Sequence, residues 1–272
     1  MIDKWFRKSL VVGFILFLLG AAIIPSSSQN IDKPFFKTTI GNWLYVGGNG
    51  PGNYTTIQSA INASIDGDTI YVYNNIYYEH IRIEKDINLF GENSTKTIID
   101  AQGTERAVEI SGYVNLSGFT IRNAEVGILN FYLPSPDDVY VFFVYGNIIT
   151  NNIVGIGLSG SFKTIIHDNS ITHNQLGISF FRADDYEVNN NNFIDNEKHA
   201  YFEYVLYLQF MPRIKWNGNY WDDWHFRLPR FIKGEKVILF VFRPGTVLKN
   251  TVCYWYNVDW HPAKEPYDML GG

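Results

Sequence analysis

The chain has 272 residues, of which 46% are hydrophobic, 18% charged and 17% aromatic, and its formal net charge is −5. That apolar content sustains a buried core and excludes a disordered chain, while the length fits one elongated domain or two small ones. The negative charge argues against nucleic-acid and anionic-lipid partners, and the wealth of Tyr, Phe and Asn argues for a β-rich protein over a helical one.

Residues 1–28 read as a signal peptide. Lys4, Arg7 and Lys8 form a basic start, residues 10–24 are an uncharged apolar run, and small residues stand at Ser26 and Ser28. The run is shorter than the roughly 20 residues of a membrane-spanning helix, so export to the medium or the extracellular cell surface is expected over a permanent anchor. A membrane is a partner only if the segment stays uncleaved. Without it 19 Lys+Arg face 26 Asp+Glu, a formal charge of −7. Cys253 is the single cysteine, so no intramolecular disulfide forms. Asn53, Asn62, Asn93 and Asn115 begin Asn-x-Ser/Thr sequons, which agree with an exported surface.

Residues 29–54 are expected to be a linker and cap entry. Thr55-Thr-Ile57-Gln58 then has capping-box spacing, and Ile57, Ala60 and Ile61 fall on one helical face. This predicts a short amphipathic helix near residues 55–64. Gly67-Asp68 ends it, and Thr69-Ile-Tyr-Val-Tyr73 alternates as a strand.

A repeat governs the middle of the chain. Asn147-Ile-Ile149-Thr-Asn-Asn152, Asn169-Ser-Ile171-Thr-His-Asn174 and Asn191-Asn-Phe193-Ile-Asp-Asn196 are copies of one pattern at a 22-residue step, which Gly155-Ile and Gly177-Ile share. A period too short for two helices, with β-branched residues and alternation, predicts a β-solenoid with one coil per repeat. Stacking places Ile149, Ile171 and Phe193 in an inward column, with Asn152, Asn174 and Asn196 in a turn column whose amides bond coil to coil. Phe119-Thr-Ile121-Arg-Asn123 with Gly127-Ile128 stands 28 residues earlier, and the six extra residues fit a loop at Leu133-Pro-Ser-Pro-Asp-Asp138. The open first end of such a solenoid needs a cover, which the helix near 55–64 supplies.

Two family resemblances follow from these residues. Tyr54-Thr-Thr-Ile-Gln-Ser-Ala-Ile61, Gly67-Asp-Thr-Ile-Tyr-Val-Tyr73, Tyr78-Glu-His-Ile81, Ile87-Asn-Leu-Phe-Gly91 and Thr97-Ile-Ile-Asp100 resemble the opening of pectate-lyase-like right-handed β-helix proteins. The Asn-rich coils resemble the NosD-type copper-binding and carbohydrate-binding β-helix repeat of archaeal surface proteins. The resemblance covers roughly residues 47–221 and implies a fold more than an activity. The expected fold is thus all-β: a single-stranded right-handed parallel β-helix over residues 55–215, with a capping helix and an aromatic-rich C-terminal cap over 216–272.

That last segment holds five of the seven Trp residues. Trp216, Tyr220, Trp221, Asp222, Asp223 and Trp224 are candidates for a sugar-stacking platform, with rings for apolar sugar faces and carboxylates for hydroxyls. The competing reading is a hydrophobic plug for the second open end.

Other candidates are thinner. Asp184-Asp185, followed by Arg213-Ile-Lys215, resembles two polygalacturonase motifs, whose carboxylates hydrolyse glycosidic bonds. The Asn-Thr-Asp and Gly-His-Gly motifs of that family are absent, and the register puts Lys163 beneath Asp185, favouring a surface ion pair. His167 and His173 lie six apart, and His173 shares a column with Asn151 and Asp195, so His167, His173 and Asp195 are candidate metal ligands. The NosD resemblance implies copper. Calcium would need clustered carboxylates, whereas Asp100, Glu109, Glu125, Asp168 and Asp195 fall on different coils. His80 and Glu79 read as surface residues. The expected function is a non-catalytic exported β-helix that binds an extended polysaccharide or cell-surface glycan, or serves as a surface structural module. A polysaccharide lyase, hydrolase or epimerase and a NosD-like copper-binding protein are the alternatives.

Overall fold

A computed structural model describes residues 41–131, 141–159, 163–181, 186–206, 214–226, 228–243 and 246–269. The expected signal peptide and the loop at residues 133–138 lie outside them.

The fold is a parallel β-helix. Its strands stack in three columns, and Thr97–Ile110 and Thr120–Phe131 each run through both the second and the third. The first column runs from Trp43–Val46 through Thr69–Val72, Ile87–Gly91, Val114–Ser117, Val141–Tyr145, Lys163–His167 and Tyr186–Asn189 to Ile214–Asn217. The second runs from Asn75–Tyr77 to Tyr220–Trp221, and the third from Ile81–Ile83 to Arg230–Arg243.

Inward positions form apolar files. Ile99, Ile121, Ile149, Ile171, Phe193 and Trp221 pair in register along the second column, and all are buried. Each such side chain contributes about 1.5–3 kcal/mol of burial. Because a coil touches only its neighbours, that stabilisation is added coil by coil. The register also carries the stack past the boundary expected at residue 216. Trp216 pairs with Val188, and Trp221 sits over Phe193 with centroids 4.2 Å apart at 6°.

Two corners join the columns within a coil, and each needs left-handed backbone. Gln102, Asn123, Asn151, His173 and Asp195 all have φ between 52° and 60° at one corner. Asn, Asp and His tolerate this conformation better than other non-glycine residues, which explains why one corner file mixes these types. Inside the corners run two directed amide ladders. Asn147, Asn169 and Asn191 each donate Nδ2 to Oδ1 of the next member, at 3.2, 2.9 and 3.0 Å, ending on Asn219. Asn152 and Asn174 do the same at 3.1 and 3.0 Å, ending on Asn196. The backbone N–H of each donor binds the same oxygen. Buried amides are thereby satisfied, which makes the repeated Asn stabilising.

The Gly-Ile steps have a steric cause. A Cβ at Gly155 would sit 2.6 Å from Gly177 O and 3.1 Å from Asn174 Nδ2, so glycine leaves room for the ladder amide of the next coil.

Both ends are covered. The helix Ile57–Ala63 closes the first, burying Ile57, Ala60 and Ile61. Its N-cap is Thr56, one residue after the expected position, and Gln58 does not complete a capping box. Glu79 replaces it, accepting Ile57 N and Gln58 N at 2.9 and 3.0 Å, where a carboxylate suits the helix dipole. This moves Glu79 from a plain surface residue to a cap. The Gln58 amide instead pairs with Arg82 N and O, blunting the edge of Ile81–Ile83. At the other end Arg230–Arg243 and Thr246–Asp259 form an antiparallel hairpin that returns to pair Asp259 with Trp216.

Candidate functional site at the corner of the last coils

The corner file that carries His173 and Asp195 continues into a cluster of ionisable groups. Trp221 and Trp224 flank Asp222 and Asp223 just after the second-column strand Tyr220–Trp221. His199 comes from the third-column strand Lys198–Leu206 of the coil before. His199 is 6% exposed, and its Nε2 lies 2.8 Å from Asp222 Oδ1 and 3.2 Å from Asp223 Oδ1. Asp222 Oδ2 accepts Asp195 N at 2.5 Å. Asp223 is held by both terminal nitrogens of Arg230, Nη2 reaching Oδ2 at 3.0 Å. The Arg230 guanidinium in turn lies 4.5 Å from the Trp221 ring centroid, a favourable cation–π contact. Burial raises the Asp223 pKa, but hydrogen bonds from His199 and Arg230 and the Arg230 charge outweigh it, holding the carboxyl well below the usual range.

Among the described residues His199, Asp222 and Asp223 are the group of three whose donor atoms come within metal-bridging distance. The sequence reading did not single out His199, although a signal was present. Register places it one coil above Gly177, at the next position of the Gly127, Gly155 and Gly177 file. Each of those glycines yields space to a ladder Asn of the next coil. At His199 the ladder has run out, because Trp224 follows where an Asn would continue the pattern, and an imidazole fills the space.

The expected metal ligands are brought together only in part. His173 Nε2 lies 3.5 Å from Asp195 Oδ2, both side chains exposed. His167 turns elsewhere: Nδ1 bonds Asp168 Oδ2 at 2.7 Å and the ring stacks on Tyr145 at 5.1 Å. A copper ion does not fit the His199 group as built, since Arg230 already occupies Asp223 and the imidazole is committed on both nitrogens.

Trp216 and Trp221 are 3% and 1% exposed. Phe180, Phe193 and each other take their faces, so neither indole can stack on a sugar, and both plug the core. Tyr220 is half-buried, and Trp224 packs against the core with its Nε1 donating to Leu228 O at 2.9 Å. Besides Trp43, Tyr78 and Phe226, exposed rings cluster on the hairpin: Phe231, Tyr254 and Tyr256 on one face, Trp255 on the other, with Trp260 beyond. Lys233 Nζ sits 3.8 Å from the Tyr254 centroid. Asp184, Asp185 and Arg213 lie outside the described residues, and so does any Lys163–Asp185 pair. Lys215 is exposed and reaches Glu187 at 3.0 Å.

No helix among the described residues is long and apolar enough to cross a membrane. A search of curated proteins finds no match. Among solved structures the chain is similar to a pectin methylesterase mutant in complex with a hexasaccharide, at 16% identity and TM-score 0.35, over 59% of this chain and 55% of that one. The carrot pectin methylesterase gives 13% and 0.35, over 62% and 74%. The Aspergillus niger enzyme gives 16% and 0.35, over 60% and 76%. Residues 132–225, the coils that carry both ladders up to the His199 corner, match the family model described as "Periplasmic copper-binding protein (NosD)".

Proposed function

We propose that the protein is an exported, non-catalytic β-helix that binds an extended polysaccharide through the outward rings of its C-terminal hairpin. The observation that carries this reading is the set of rings at Phe231, Tyr254 and Tyr256. They are 62%, 63% and 51% exposed and share one face of a paired, twisted ribbon. Rings held by sheet pairing offer stacking area at little entropic cost. Lys233 and Glu235 between them supply a donor and an acceptor for hydroxyls.

The non-catalytic part is supported by how four of the described acids are engaged. Asp100 is tied to Arg122, Glu109 to Arg106, Glu187 to Lys215 and Asp223 to Arg230. A general acid or base needs a proton within reach of substrate, and these carboxylates are spent on fixed ion pairs.

A glycan-array screen with product analysis of every hit tests the reading. Binding without shortened or unsaturated products is expected, weakened at least tenfold in Y254A/Y256A. Undiminished binding by that variant would move the site elsewhere, and turnover would make the protein an enzyme.

A further inference from the structure

The polarity of the second asparagine ladder reaches the His199 imidazole. Asn196 Oδ1 accepts both Asn174 N and Asn174 Nδ2, at 3.0 Å each. Its amide orientation is therefore fixed from the coil before, and Nδ2 must point onward. There it meets Ile171 O at 2.8 Å and His199 Nδ1 at 3.3 Å. An amide N–H facing a ring nitrogen requires a lone pair on that nitrogen. The His199 proton then resides on Nε2, which faces two carboxylates.

We infer that the ladder holds His199 in the Nε2–H tautomer, so that this corner is a structural clasp whose imidazole offers no lone pair to a metal ion. A divalent ion at Nε2 needs the lone pair there and the proton on Nδ1, and a metal-bound imidazole normally donates that proton to a carboxylate, carbonyl or water. Asn196 offers a donor instead. The same arrangement makes His199 a positioning residue: its Nε2–H orients Asp222 and Asp223, which engage Asp195 N and Arg230 and so fasten the last two coils and the hairpin together.

The sharp perturbation is Asn196→Asp. One carboxylate oxygen keeps both bonds from Asn174, while the other faces Nδ1 as an acceptor and removes the demand for a lone pair there, so Nδ1 takes up a proton while Nε2 keeps its own toward Asp222 and Asp223. The oxygen also faces Ile171 O, so some stability is lost. The test records imidazole nitrogen shifts of the 15N-labelled full chain, then titrates Cu2+ and Zn2+ into wild type, N196D and N196D/H199A. In wild type, Nε2 should carry the proton, Nδ1 should not, and neither metal should move the His199 signals. N196D should carry a proton on Nδ1 as well as Nε2, a pair of signals absent from N196D/H199A, and with Arg230 still on Asp223 it should bind neither ion there. In wild type, a lone pair on Nε2, a doubly protonated ring or a metal-induced change at His199 would overturn the inference. So would a folded N196D whose Nδ1 stays unprotonated. If N196D does not fold, the wild-type tautomer and titration decide alone.

Discussion

Replacing Asp259 by Asn removes one oxygen from the point where the first asparagine ladder ends. Asp259 is fully buried, and its Oδ2 accepts Asn219 N, Asn219 Nδ2 and Trp221 Nε1 at 3.0, 3.0 and 3.2 Å. Its Oδ1 accepts Gly218 N and His261 N at 3.2 Å each. Every ladder member passes a donor forward, so the last must only accept, which a carboxylate does and an amide cannot. In D259N the remaining oxygen keeps the three donors on the Oδ2 side, and the new NH2 confronts Gly218 N and His261 N. Two charge-assisted bonds are lost, at about 1.5–3 kcal/mol each where buried. Both donors border solvent, so the lower end applies and the cost is about 3 kcal/mol. For a domain this size that lowers Tm by roughly 6–12 °C if unfolding is cooperative, and in a coil stack the loss falls first on the last coil. Thermal melts followed by Trp fluorescence, with hydrogen exchange at Asn219 and along Thr246–Asp259, read both effects. A D259N protein within about 0.5 kcal/mol of wild type, with unchanged exchange there, would refute the ladder-termination argument.

Gly155→Ala pushes a methyl against Gly177 O and the Asn174 amide and should cost about 1–3 kcal/mol, measured by urea unfolding, and a loss below about 0.5 kcal/mol would contradict the steric reading. Burial raises the Asp100 pKa, but hydrogen bonds from Asn123, Gln102 N and Arg122 and the Arg122 charge outweigh it, and Asp223 is depressed likewise. A depressed folded value stabilises above the unfolded pKa near 4 and fades as pH falls through the folded value. Tm should thus be flat from pH 7 to about 4 and drop below it. D100N should be about 2 kcal/mol less stable at pH 7 with a shallower acid limb, and an unchanged limb would contradict the assignment. Burial, then Glu79 and Glu92, pushes the Tyr77 phenol up to about 12, and its hydroxyl donates to Tyr73 O at 2.8 Å. A raised value means that stability falls between about pH 10 and 12, as the unfolded chain ionises first. Y77F should cost about 1 kcal/mol and flatten that slope in alkaline melts.

The repeat was legible because in a β-helix a residue's neighbours are its counterparts one coil away. The 22-residue step therefore yields the contacts Ile149–Ile171–Phe193 and Asn152–Asn174–Asn196 directly. Continuing it by the longer step of 28 residues, from Asn191 to Asn219, also places Trp221 inside, so the burial of that indole was readable. Exposure of the hairpin rings was not, because strand alternation does not say which face of a terminal ribbon meets the core. His199 escaped because a histidine in a glycine file looks like a lapse in the repeat until the space left by the ending ladder is seen. The Glu79 cap was hidden for another reason: it joins residues 57 and 79 across a coil of irregular length.

The central claim is binding of a polymer by the outward face of the hairpin without chemistry. Its most direct test is isothermal titration of the protein, and of Y254A/Y256A, with the polysaccharide that scores highest on the array, followed by size and absorbance analysis of the recovered polymer. Saturable binding that falls at least tenfold in the variant, with the polymer unchanged in length and saturation, is the predicted result. Equal binding by the variant, or a shortened or unsaturated polymer, would contradict it.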